Sequence, residues 1–252
     1  MLKKRIIARL DIKAPNLIMP IRMEGLRKVG DPQTFAERYD NQGVDEIIYV
    51  DTVSSLYGRS NILDLVRKTS ERAFCPLTVA GGARSVEDAL SLLRTGADKI
   101  AINTAATKYP SLLSDLASRL GAQAVGLQVD VKCIEGRWGV IVDGGREDSG
   151  RDAVEWVTQA VEYGAGEILL TSIDRQGSGI GMDIDLIRAV SDAVSVPVVA
   201  SGGVSHADYA AAGFEAGADG VAVASALHKD FTTLAEIRQT LRDSGIPVRN
   251  AA

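Results

Sequence analysis

Residues 76–103, PLTVAGGARSVEDALSLLRTGADKIAIN, return 121 residues later as PVVASGGVSHADYAAAGFEAGADGVAVA, residues 197–224. Each copy holds a short β-branched run, a Gly-Gly pair, a helix-compatible stretch, a Gly-Ala-Asp triplet and a second apolar run. The same offset relates Gly43 to Gly164, Glu46 to Glu167 and Ile47 to Ile168, while Asp11 and Asp130 lie 119 apart. An internal repeat constrains architecture more firmly than local propensity does.

Eight runs read as strands: Arg5–Asp11, Asp45–Asp51, Pro76–Ala80, Lys99–Asn103, Ala124–Asp130, Glu167–Ser172, Val196–Ser201 and Gly220–Ala224. Helical periods such as Val86–Arg94 and Ala153–Tyr163 separate most of them, the pattern of β-α units with parallel pairing. Val131–Gly144, with Gly136-Arg137-Trp138-Gly139 inside it, reads instead as a hairpin insertion. Two similar halves, residues 1–120 and 121–245, closing on each other predict an α/β fold of one domain over residues 1–252, a (β/α)₈ TIM barrel. An open doubly wound sheet is the alternative; symmetry and strand count favour closure.

Composition agrees. At 252 residues, 46% apolar and 24% charged, the chain can bury one large core and is not of the disordered class. No stretch approaches the roughly 18 apolar residues of a membrane span. The basic start, Met1-Leu2-Lys3-Lys4-Arg5, lacks the apolar run of a signal peptide. Two distant cysteines, Cys75 and Cys133, suit a reducing cytoplasm and no thiolate metal site. With a net charge of -5 and no basic run, a nucleic-acid partner is not expected, and neither a metal nor a cofactor is.

In such barrels the ligand site lies at the C-terminal ends of the strands. Asp11 ends strand one and Asp130 ends strand five, so the repeat sets two carboxyls across one mouth. They suit proton transfer in both directions if their surroundings hold them in different protonation states. Gly81 and Gly82, with Asn103 and Thr104, form a candidate phosphate cradle. Gly202 and Gly203, with Ala224, Ser225 and Gly177, repeat it, predicting a substrate with a phosphate at each end.

The motifs KRIIARLDIK, GVDEIIYVD, PLTVAGGARSVEDA, GADKIAINTAA, GAGEILLTSIDRQG and VPVVASGG together resemble the cyclase subunit of imidazole glycerol phosphate synthase, the HisF family. The resemblance runs over essentially the whole chain. It implies a barrel paired with a HisH-like glutamine amidotransferase as a heterodimer. Ammonia from that partner would cross the barrel and react with a bisphosphorylated aminoimidazole carboxamide ribonucleotide, giving imidazole glycerol phosphate and aminoimidazole carboxamide ribotide. It maps the acid/base pair onto Asp11 and Asp130, and adds Thr171 to the substrate-binding positions. Arg5, Glu46, Lys99 and Glu167, all at strand starts, match the family's charged ring at the ammonia entrance, and Asp98 an acid at the glutaminase interface. The ring also separates this reading from the HisA-type isomerase.

Four positions depart from the family pattern. Met19 stands where a Lys assists chemistry, in what reads as a loop after strand one, and Gln176 where an Asp frames the second phosphate. Arg9 and Gln128 replace small residues one layer below the acids. Alternation points Arg5, Ile7, Arg9 and Asp11 to the same face of strand one, and Gly126, Gln128 and Asp130 inward on strand five. An inward Arg9 needs a partner, with Asp11, Asp130 or Gln128 in reach, and an arginine bound to one acid would weaken it as a base. These departures, with LDIKAPNLI and YVDTVSSLYGRSN, resemble HisF-like paralogues of surface-polysaccharide pathways. That supplies the alternative: an ammonia-channelling accessory subunit of a sugar amidotransferase system.

Overall fold

The computed structural model describes residues 3–53 and 62–249; residues 54–61, within the string YVDTVSSLYGRSN, lie outside the described residues. The strands are β1 (Arg5–Lys13), β2 (Asn16–Ile21), β3 (Glu24–Gly30), β4 (Glu46–Asp51), β5 (Leu77–Ala80), β6 (Lys99–Ile102), β7 (Val125–Ile134), β8 (Arg137–Val142), β9 (Glu147–Asp152), β10 (Glu167–Ser172), β11 (Val198–Ser201) and β12 (Gly220–Val223). Eight of them, β1, β4, β5, β6, β7, β10, β11 and β12, pair in parallel. β12 returns to β1 and β10 to β7, so the sheet closes on itself. Closure leaves the eight barrel strands without an open edge. The (β/α)₈ barrel expected from the repeat is the observed fold.

Helices sheathe the strands. α1 (Pro32–Asn41), α2 (Ile62–Ser70), α3 (Val86–Thr95) and α5 (Ser111–Leu120) belong to the first half. α6 (Ala153–Glu162), α7 (Ile184–Ala193), α8 (Ala207–Glu215) and α10 (Leu234–Asp243) belong to the second. The short α4 (Thr104–Lys108) and α9 (Ser225–His228) sit at strand ends. In α6, Ala153, Trp156, Val157 and Ala160 are buried, a spacing of three and four residues that makes one apolar stripe. Its N-cap Asp152 accepts the amide hydrogens of Val154 and Glu155, satisfying donors that helix geometry leaves unpaired.

The recurrent Asp before a strand also has a reason. Asp98 accepts the Leu77 amide at 2.8 Å, Asp219 that of Val198 at 3.2 Å and Asp45 that of Ile6 at 2.8 Å. Each pins the foot of a strand to its neighbour. The preceding Gly96 and Gly217 have φ of 124° and 115°, which only glycine adopts without strain. Asn103 and Ala224, 121 apart, share an uncommon backbone of φ/ψ -115/-88° and -118/-91°.

Two stretches differ from expectation. The loop after strand one, including Met19, is an antiparallel hairpin: β2 pairs with β1, and β3 with β2. Arg22 and Met23 turn it with φ of 50° and 61°, an arrangement without the Asn-Gly or Asp-Gly signature that would mark it. The second insertion is a hairpin as expected, turning at Glu135-Gly136, and is longer by β9.

Candidate active site

Inside the barrel three layers succeed one another. At the strand starts, Arg5 Nη1 donates to Glu46 at 2.7 Å and Nη2 to Glu167 at 2.5 Å, while Lys99 Nζ reaches Glu46 and Glu167, each at 2.8 Å. Cations and anions alternate in a closed ring, the condition under which such charges tolerate partial burial. Thr78 adds a hydroxyl to Glu46 at 2.6 Å. Above the ring, Ile7, Ile48, Val50, Ala80, Ala101, Leu169, Val199 and Ala222 form a buried apolar layer.

The third layer is polar. Arg9 is 2% exposed and points inward, as alternation predicts. Its Nε and Nη2 donate to Asp11 Oδ1 at 3.1 and 2.9 Å, and Nη1 donates to Thr171 at 2.7 Å and Ser201 at 3.3 Å. Burial opposes its charge, but Asp11 and Asp130 outweigh that and raise its pKa. Opposite, Gln128 and Asn103 each donate an amide hydrogen to Asp130 Oδ2 at 2.9 Å. Burial raises the Asp130 carboxyl above its ordinary value, with Arg9, the Thr171 hydroxyl and the amide donors pulling the other way. Asp130 Oδ1 and Asn103 Oδ1 are buried without a protein hydrogen-bond partner.

A cavity of about 850 Å³ opens above this layer, lined by Asp11, Asp130, Asn103, Thr104 and the Gly81-Gly82 turn. The structure therefore brings both acids and the first glycine pair to one space. Thr104 accepts the Asp143 amide at 3.0 Å, tying the cavity wall to the β8–β9 turn. Asn103, expected as a phosphate donor, directs its amide at Asp130 and at the Ile141 carbonyl instead. Lys13, Arg84, Lys108 and Arg146, not singled out from sequence, also line the cavity. Lys13 ends β1, Lys108 ends α4, and Arg84 and Arg146 follow the glycine pairs 81–82 and 144–145; a cation at such a place after a barrel strand is the signal that would have found them.

The second cradle, Gly177, Gly202, Gly203, Ala224 and Ser225, surrounds a space of about 30 Å³. The β2–β3 hairpin covers it. Arg22 donates its amide to the Gln176 carbonyl at 3.0 Å and Met23 its amide to Gln176 Oε1 at 2.8 Å. Gln176 is thus the hairpin's dock. Met19 is buried in β2, 8% exposed. Glycine is required at 203 because of a neighbouring loop: a Cβ there would stand 2.0 Å from the Gly181 carbonyl oxygen. Asp98, exposed, spends Oδ2 on the Leu77 amide.

Fold and mouth together define a (β/α)₈-barrel protein with paired carboxyls at the rim where barrel enzymes work. A family model described as histidine biosynthesis protein matches residues 5–233. The imidazole glycerol phosphate synthase subunit HisF of Legionella pneumophila is 56% identical over 201 residues, covering 79% of this chain and 95% of that protein. The subunit of the same name from Myxococcus xanthus (strain DK1622) is 46% identical over 251 residues, 99% of each chain. The chain belongs to the HisF family of imidazole glycerol phosphate synthase subunits.

Proposed function

We propose that this protein is the cyclase/lyase subunit of imidazole glycerol phosphate synthase in histidine biosynthesis. It would use ammonia to convert a bisphosphorylated aminoimidazole carboxamide ribonucleotide to imidazole glycerol phosphate and aminoimidazole carboxamide ribotide. The observation that carries this is the pair Asp11 and Asp130 on one 850 Å³ cavity, in a chain 46% identical to a HisF subunit over 99% of its length. Attack by ammonia needs a group that takes a proton, and departure of the ribotide needs one that gives it. The glycine turns at 81–82 and 202–203, with Thr104, Gly177, Ala224 and Ser225, are assigned to the substrate and its two phosphates. Asn103 and the fully buried Thr171, expected beside them, serve the acid layer, bonded to Asp130 and Arg9 respectively. The comparisons do not favour the sugar-amidating alternative, since both relatives carry the HisF name.

The ring of Arg5, Glu46, Lys99 and Glu167 is assigned to ammonia entry. A HisH-like glutaminase would dock below it, with the free oxygen of Asp98 in the contact. No helix among the described residues is long and apolar enough to cross a membrane, and a cytoplasmic location is part of this proposal.

The test is turnover of the ribonucleotide by the purified protein with an ammonium salt as nitrogen source. Asp130→Asn is expected to lower the rate by roughly 10²–10⁴-fold with an unchanged circular dichroism spectrum. An active variant would remove Asp130 from the chemistry. Failure to complement a histidine auxotroph lacking the cyclase, together with glutamine hydrolysis by a co-purifying glutaminase, would favour the accessory reading.

A further inference from the structure

We propose that Arg9 is a positioning residue that sets the division of labour between the two acids: it keeps Asp11 ionised and so available as the base, at some loss of base strength, and leaves Asp130 as the acid. The inference rests on the reading above that these two carboxyls move the protons, and goes beyond it by naming what makes them unequal.

The geometry is one-sided. Of the five N–H donors of a guanidinium, two are spent on Asp11 Oδ1 and two more on the Thr171 and Ser201 hydroxyls of β10 and β11. The side chain is therefore a strut across the barrel, anchored to residues 162 and 192 positions away in the chain. None of its hydrogen bonds goes to Asp130. Asp130 takes two neutral amides on Oδ2 and a further neutral contribution from the Thr171 hydroxyl; Arg9 reaches it through charge only, and its Oδ1 is buried without a hydrogen-bond partner. A buried carboxyl oxygen with no donor is better satisfied carrying a proton, whereas one gripped by a guanidinium is better satisfied as an anion. Two acids in contrasting surroundings at one site divide into a proton donor and a proton acceptor.

The direction found for Asp130, upward through burial, agrees. Other ionisable groups face the pair: Lys13, Glu24, Asp51, Arg84, Asp143 and Arg146 line the cavity above it. His228 lies beside it, its ring buried and, with a pKa lowered to about 4 by that burial, uncharged at neutral pH. On the cavity wall, Lys108 is engaged with Asp143 at 3.0 Å. Arg9 is thus the cation bonded to Asp11.

Two measurements test this. The first is the pH dependence of kcat/KM at fixed free ammonia for the wild type, Arg9→Met and Arg9→Lys. Loss of the guanidinium is expected to move the acid limb to higher pH by on the order of one unit in Arg9→Met, with Arg9→Lys in between. A merely structural arginine would lower the rate without moving the limb, and superimposable profiles overturn the proposal. The second needs no turnover and no foldable methionine variant. ¹³C-carboxyl NMR of aspartate-labelled protein, assigned with Asp11→Asn and Asp130→Asn, is expected to show Asp11 as an anion at a pH where Asp130 carries its proton. Simultaneous ionisation of the two overturns the proposal. A wild type that shows this split but turns nothing over overturns the proposed function and leaves the electrostatic role of Arg9 standing.

Discussion

Lys99 and Glu46 meet 2.8 Å apart at the foot of the barrel, and their contact is one edge of a closed four-membered ring of alternating charge. Glu46 is 2% exposed and also takes Arg5 and the Thr78 hydroxyl, so its charge is fully matched from three sides. Removing one cation leaves Arg5 to serve both glutamates. Lys99→Met is expected to cost roughly 1–3 kcal/mol, between exposed and buried pairs, read by urea denaturation. On the proposed function, it should also lower glutamine-supported turnover of the complex more than ammonium-supported turnover. Equal losses would take the ring off the nitrogen route.

His228 makes stability depend on pH. Its ring packs against Tyr39 and Phe35, its Nδ1 lies 2.7 Å from the Tyr39 hydroxyl, and burial lowers its pKa from 6.5 to about 4. Below pH 6.5 the unfolded chain takes a proton that the folded chain refuses. The fold therefore weakens as pH falls from 6.5 to about 4, by about 3 kcal/mol for this group. Asp130, raised in the fold, acts in the opposite sense, so the quantity to measure is the difference between wild type and His228→Gln at each pH. A constant difference across the window would contradict the assignment.

Two glycines with similar backbones are expected to respond differently to alanine. Gly203 (φ 94°) has a carbonyl oxygen where the Cβ would go, while Gly136 (φ 80°) has nothing within 4 Å. Gly136→Ala should cost about 1 kcal/mol, the left-handed backbone penalty alone. Gly203→Ala should exceed about 3 kcal/mol, because the backbone of residues 181–182 must move. Chemical denaturation of both variants decides it; equal losses would mean that the two loops are not in contact.

Gln176 holds the first hairpin by a side-chain bond to the Met23 amide. Gln176→Ala removes about 1 kcal/mol of local hydrogen bonding, so the Met23 amide should exchange about fivefold faster with solvent. Barrel-strand amides should keep their wild-type protection. An unchanged Met23 rate would show that other contacts hold the hairpin down.

Much of the architecture was legible in the chain. The repeat at offset 121 placed Gly81-Gly82 and Gly202-Gly203 after equivalent strands, and period-two alternation sent Arg5, Arg9 and Asp11 into the barrel, where the structure has them. The β2–β3 hairpin was not legible. Its turn uses Arg22 and Met23 at positive φ, and the exposed strand Glu24–Gly30 has no alternating pattern to mark it. Tertiary contacts to Gln176 hold that segment, and no local propensity encodes them.

The sequence by itself determined the eight barrel strands, their closure, the inward faces of the first and fifth of them, and the place of Arg9, Gln128 and the two acids on those faces. All of these follow from periodicity, caps and repetition. Only the tertiary structure decided that Arg9 binds Asp11 and not Asp130, that Asn103 turns its amide to a carboxyl, and that the second glycine pair lies under a hairpin. Those outcomes depend on side chains between 2 and 192 positions apart competing for a few donors inside one barrel, and distance along the chain carries no record of which partner wins.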